Sequence, residues 1–60
     1  MNNKKLYDLK LIKTKLNNAM VLIEEINNLM EEFPEVESSH LMNALDDLEN
    51  QYWEIEDIQD

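Results

Sequence analysis

Cysteine and glycine are both absent from this chain of 60 residues, proline occurs once, and all five basic side chains are lysine. Each absence removes a class of structure. Without cysteine there is no disulfide to staple a small fold, no thiolate to hold a metal, and nothing that reports a redox compartment. Without glycine the tight turns that need a positive φ lose their usual residue, which argues against a β-sandwich or barrel. A glycine-rich phosphate loop and the EF-hand, with its central glycine, are excluded for the same reason. No run approaches the ~20 apolar residues of a membrane span. The lysines and Asp8 scattered through residues 1–16 leave no uninterrupted apolar core for a signal peptide. The expectation is a cytoplasmic, all-α chain with a single domain over residues 1–60.

What is present is a heptad. Leu9, Ile12, Leu16, Ala19, Ile23, Ile26, Met30 and Phe33 alternate in steps of three and four, the spacing of a bundle or coiled-coil seam. This predicts a helix over residues 4–32, capped by Asn2 or Asn3 and ended near Phe33, because Pro34 disfavours a helical residue before it. Leu41, Leu45, Leu48, Tyr52 and Ile55 repeat the pattern, with Ser38 or Ser39 as cap, and predict a second helix over residues 39–58. The loop, residues 33–38, is short, and short connections make antiparallel neighbours. The fold class is therefore an antiparallel two-helix hairpin.

The apolar stripe is wider than one neighbour requires. With Leu9, Leu16 and Ile23 at heptad position a, Leu22 and Leu29 fall at g and Met20 at e; Ala44, Ile58 and Met42 widen the second helix in the same way. A strict two-helix contact uses a and d alone. A chain this small buries only about 60% of its unfolded surface and stands near the limit of independent stability. Dimerisation into an antiparallel four-helix bundle is the expected remedy, with Leu9, Ile12, Leu16, Ile23, Ile26, Met30, Leu41, Leu45, Leu48, Tyr52 and Ile55 as oligomer core.

Charge is distributed unevenly. The net charge is −9, yet Lys4, Lys5, Lys10, Lys13 and Lys15 all lie in the first quarter, while residues 16–60 hold 13 acids and no lysine. Such a balance opposes direct binding to nucleic acid or anionic lipid and favours a protein with a basic surface as partner. A basic face for RNA would have only the five lysines to draw on. Glu24, Glu25, Glu31, Glu32, Glu35, Glu37, Asp46, Asp47 and Glu49 gather toward the loop end of the hairpin, where no lysine reaches them within one chain. Thirteen acids over ~30 Å approach the ~1.7 Å per charge of duplex DNA, so mimicry of nucleic acid is the sharpest functional expectation. In size and composition the chain is similar to small phage-encoded inhibitors of host nucleases, a resemblance that rests on no motif. Lysine in place of arginine, with frequent asparagine and isoleucine, also suits an AT-rich genome, such as that of a low-GC bacterium, its phage or a mobile element.

Single residues narrow the chemistry further. Trp53 falls on an outward position among Asp46, Glu49, Glu56 and Asp57, in the manner of a binding anchor with an acidic rim. Tyr7 and Leu11 also point outward, on a stretch of the first helix expected to overhang the second. His40 has no second histidine or cysteine with which to hold a metal, and Ser39 beside it does not share its helix face. Paired acids such as Asp46 and Asp47 lack a cleft that would raise one carboxyl pKa. The expectation is no catalytic residue, no metal and no cofactor. An inhibitor or modulator of a basic, nucleic-acid-handling protein is the first reading; a homo-oligomeric assembly module with an acidic surface is the second.

Overall fold

The computed structural model describes residues 3–59 as two helices packed against each other, α1 (Asn3–Met30) and α2 (Ser39–Gln59). Asn2, the alternative cap of α1, and Asp60 lie outside the described residues. The hairpin is a rod with extents of 49 × 14 × 11 Å. Its length is close to the ~42 Å expected of a 28-residue helix at 1.5 Å per residue.

The exit from α1 shows how a chain without glycine ends a helix. The amides of Glu31, Glu32 and Phe33 donate to the carbonyls of Asn28, Leu29 and Met30 at 3.4, 3.5 and 2.9 Å. These three-residue steps tighten the last turn into 3₁₀ geometry and satisfy carbonyls that a left-handed cap would otherwise serve. Regular α-helix therefore stops at Met30, with Glu31 and Glu32 already in the turn. The amide of Val36 then donates to the carbonyl of Phe33 at 2.9 Å, placing Pro34 at the second position of a β-turn, where its fixed φ fits. No described residue has a positive φ. The carbonyl of Ser38 accepts the amide of Met42 at 3.0 Å and so opens α2. The Ser39 hydroxyl donates to the Glu37 carboxylate at 2.6 Å.

Neither helix has an acid in its first turn or a base in its last. The macrodipoles go uncompensated, and helix stability must come from packing. That packing is thin: among the described residues none is buried, whether apolar or polar. α2 presents the expected seam, with Leu41, Leu45, Leu48, Tyr52 and Ile55 half-buried. α1 answers with a different one. Its half-buried residues are Leu9, Lys13, Leu16, Met20, Ile23, Asn27 and Met30, positions a and e of the heptad, together with Asp8 and Ala19. Ile12 and Ile26, expected at the contact, are exposed.

Leu16 and Leu45 lie on the contact line, so replacing either by alanine is expected to cost about 1–2 kcal/mol for a half-buried leucine. The check is a lower urea midpoint of the helical dichroism. His40→Ala, at an exposed position, should move the same midpoint by less than ~0.5 kcal/mol.

Candidate functional site

Lys13 lies on the a/e flank of α1 that α2 covers. Its ammonium forms an ion pair with the Glu56 carboxylate and stands 5.4 Å from the ring centroid of Tyr52. The Tyr52 ring in turn meets Trp53 edge to face, with centroids 5.5 Å apart at 89°. The lysine stem thus covers apolar surface while its charge meets a carboxylate and a π-face together. On the other flank of α1 the corresponding place is held by Ile12, which offers neither interaction. A groove follows the same edge of the hairpin. Lys10, Thr14 and Asn17 border it beside Tyr52, then Met20, Glu49 and Trp53, then Glu24, Asn28 and Met42.

All nine acids expected at the loop end are exposed, but they do not form one face. Glu24 and Glu25, Glu31 and Glu32, and Asp46 and Asp47 are consecutive pairs, and consecutive residues on a helix diverge by about 100°. Glu24 borders the groove at Met42, Glu49 borders it at Trp53, and Glu31 lies with Pro34, Val36 and Ser38 at the loop. The carboxylates form a collar around the loop half of the rod. Glu56, by contrast, pairs with Lys13, and Lys4 pairs with Asp8 at 3.5 Å, so both of these contacts lie at the lysine end. Nine charges on half of a 49 Å rod give one per about 2.7 Å, sparser than the ~1.7 Å of duplex DNA.

Trp53 is 60% exposed although one edge of its ring rests on Tyr52. It is therefore held in place and still open to a partner, with Glu49 beside it. Tyr7 and Leu11 are exposed too. α1 exceeds α2 by seven residues, 28 against 21, and Ile58 reaches back to line a shallow cleft with Lys5, Asp8 and Leu9.

The excess apolar width expected of α1 lies on one flank. Leu22 is 58% exposed, Leu29 70%, Phe33 53%, Ile26 45% and Ile12 42%. With Lys15 and the half-buried Ala19 between them, Ile12, Leu22, Ile26 and Leu29 occupy every d and g position of α1 over residues 12–29, and Phe33 follows past its end. The signal was legible as the excess width of the stripe. Which flank α2 would leave open was not.

Among the described residues no three His, Cys, Asp or Glu side chains are grouped to hold a metal ion, and no helix is long and apolar enough to cross a membrane. No protein-family model, curated protein or solved structure matches the chain.

The Lys13 contact can be weighed directly. Lys13→Ala is expected to cost about 0.5–1 kcal/mol, since both partners keep some access to water. A double-mutant cycle of Lys13→Ala with Tyr52→Leu, read by urea denaturation, should return a coupling near the lower figure.

Proposed function

We propose that the protein is a small acidic protein-binding module that inhibits or modulates a partner with a basic surface. The observation that carries this reading is the collar: nine exposed carboxylates around the loop half of a narrow rod, on a stretch of sequence that holds no lysine. A basic cleft built for a nucleic-acid backbone is the best chemical match, because it accepts closely spaced negative charge on a rod of limited width. Glu24, Glu25, Glu31, Glu32, Glu35, Glu37, Asp46, Asp47 and Glu49 supply charge, and Trp53 supplies an anchor at the edge of the collar. Since the carboxylates surround the rod, the loop end enters such a cleft end-on, with walls contacting several sides at once. The sparser charge spacing makes this electrostatic imitation of a polyanion and not a copy of duplex geometry. The lysine-, asparagine- and isoleucine-rich composition accords with an origin in a phage or mobile element and with action in the cytoplasm.

The working form on this reading is a homodimer, two hairpins making a four-helix bundle. The open d and g seam of α1 favours it, and also favours a second reading in which assembly is itself the function and the acids keep the assembly dispersed. The two readings differ in whether a basic protein is bound at all.

Tagged protein incubated with a low-GC bacterial lysate, then eluted with duplex DNA or with buffer, separates them. Release of a nucleic-acid enzyme by DNA alone is the expected result; recovery of nothing but the protein's own subunits would overturn the inhibitor reading. Alanine at Glu24, Glu25, Glu31 and Glu32 together should weaken capture at low salt at least about tenfold. Unchanged capture would remove the collar from the mechanism.

A further inference from the structure

The apolar seam over residues 12–29 of α1 repeats in steps of three and four and has no partner within the hairpin. Its size can be set against what a compact chain exposes. A folded monomer of 7.2 kDa has an accessible surface of about 4,100 Å² by the usual scaling with mass, whereas this hairpin exposes 4868 Å². The excess, about 750 Å², is close to the ~800 Å² that one partner contributes to a stable interface of standard size. The surplus belongs to the whole rod, and the exposed d and g residues of α1 are its apolar part.

Charge indicates which chain. The seam starts in the lysine quarter, with Lys15 on the seam line itself, and runs to the acidic end, with Glu25 and Glu32 beside it. A surface carrying both signs at opposite ends is complementary to itself when reversed. A parallel pair would stack Lys15 on Lys15, and would set each lysine quarter and each acidic collar against its own copy.

We infer that this seam docks a second copy of the chain in antiparallel orientation, so that two α1 helices form the centre of a four-helix bundle and the two α2 helices stand outside them. The inference rests on the dimeric form proposed above and fixes the surface and direction that carry it. The heptad steps set the register. Leu22 meets its own copy at the two-fold axis, and the small Ala19 faces the larger Ile26. Lys15 lies against Leu29, within a turn of Glu25 of the other copy. The groove that holds Trp53, Glu49 and Met42 is on the opposite edge and stays open, as does the outer part of each collar. One dimer then carries a collar at each end of the bundle, open on its outer side and flanked on the other by the lysine quarter of the second copy.

Sedimentation equilibrium of the full chain should give twice 7.2 kDa. Leu22→Glu should weaken self-association about tenfold or more, while Val21→Glu, exposed but one position off the seam, leaves the mass unchanged. Cysteine coupling keeps the test sound where Leu22→Glu unfolds the chain, because the protein has no cysteine of its own. Leu22→Cys should join to itself on oxidation. Lys15→Cys and Leu29→Cys, both within α1, should each stay single alone and join to one another when mixed. A monomer at every concentration would overturn the dimeric form and the seam together. A dimer in which Leu22→Cys fails to couple would overturn the seam alone, and ready self-coupling of Lys15→Cys would overturn the antiparallel direction. The glutamate-to-alanine variants leave the seam intact, so failure of the partner reading remains separable from failure of this one.

Discussion

Two helices meet along one line of contact, and a helix touched along one line cannot enclose a residue on all sides. That constraint governs the molecule. α1 is apolar over well more than the width of one contact, and α2 can cover only one flank of it, so the described residues include no buried side chain at all. Whatever stability the hairpin has comes from half-buried leucine, isoleucine and methionine, and from a few polar contacts laid over them. The helix ends contribute nothing to offset it, since neither macrodipole is compensated.

The covered flank carries a small number of specific interactions. Lys13 is the only lysine on the contact line, and it is tolerated there because its stem packs while its charge reaches Glu56 and the face of Tyr52. Met20, unbranched and adaptable, fits beside the two aromatic rings that follow. These contacts draw α2 toward the e side of α1 and leave the d and g positions uncovered. The same contacts fix Trp53, whose ring is steadied by Tyr52 and still faces outward. Packing of the hairpin and presentation of its surface are thus one event.

Charge follows a separate logic. The lysine end is locally neutralised in part, by Asp8 on α1 and by Glu56 from α2. The loop end has acids from both helices and the connection, and antiparallel folding brings them together without bringing any lysine. Repulsion within the collar costs stability that the thin core can scarcely offset, which is a reason to read the collar as serving a partner and the open seam as the source of compensating stability. On this view the two surfaces are complementary: burial of the seam between copies stabilises the hairpin and sets the lysine quarter of one copy beside the collar of the other, whose outer side stays open.

Helix number, helix placement and the antiparallel turn could be read from residue spacing, because heptad periodicity and a lone proline are local signals that tertiary structure had no cause to override. The crowding of acids at one end could be read too, since it follows from chain order once the hairpin is known. Their spread around the loop end follows as well, because consecutive carboxylates on a helix point about 100° apart. The open flank could not be read. Ile12 and Ile26, counted at the contact by an a/d reading, are exposed because a stripe this wide offers two equivalent flanks by pattern alone. The covered flank is the one that holds the contacts of Lys13 with Tyr52 and Glu56, which lie 39 and 43 positions further along the sequence. The sequence alone determined that the chain makes two amphipathic helices and more apolar surface than they can cover; tertiary structure decided which part of that surface remains open, because side chains meeting across the contact, and not the spacing along either helix, set the rotation of one helix against the other.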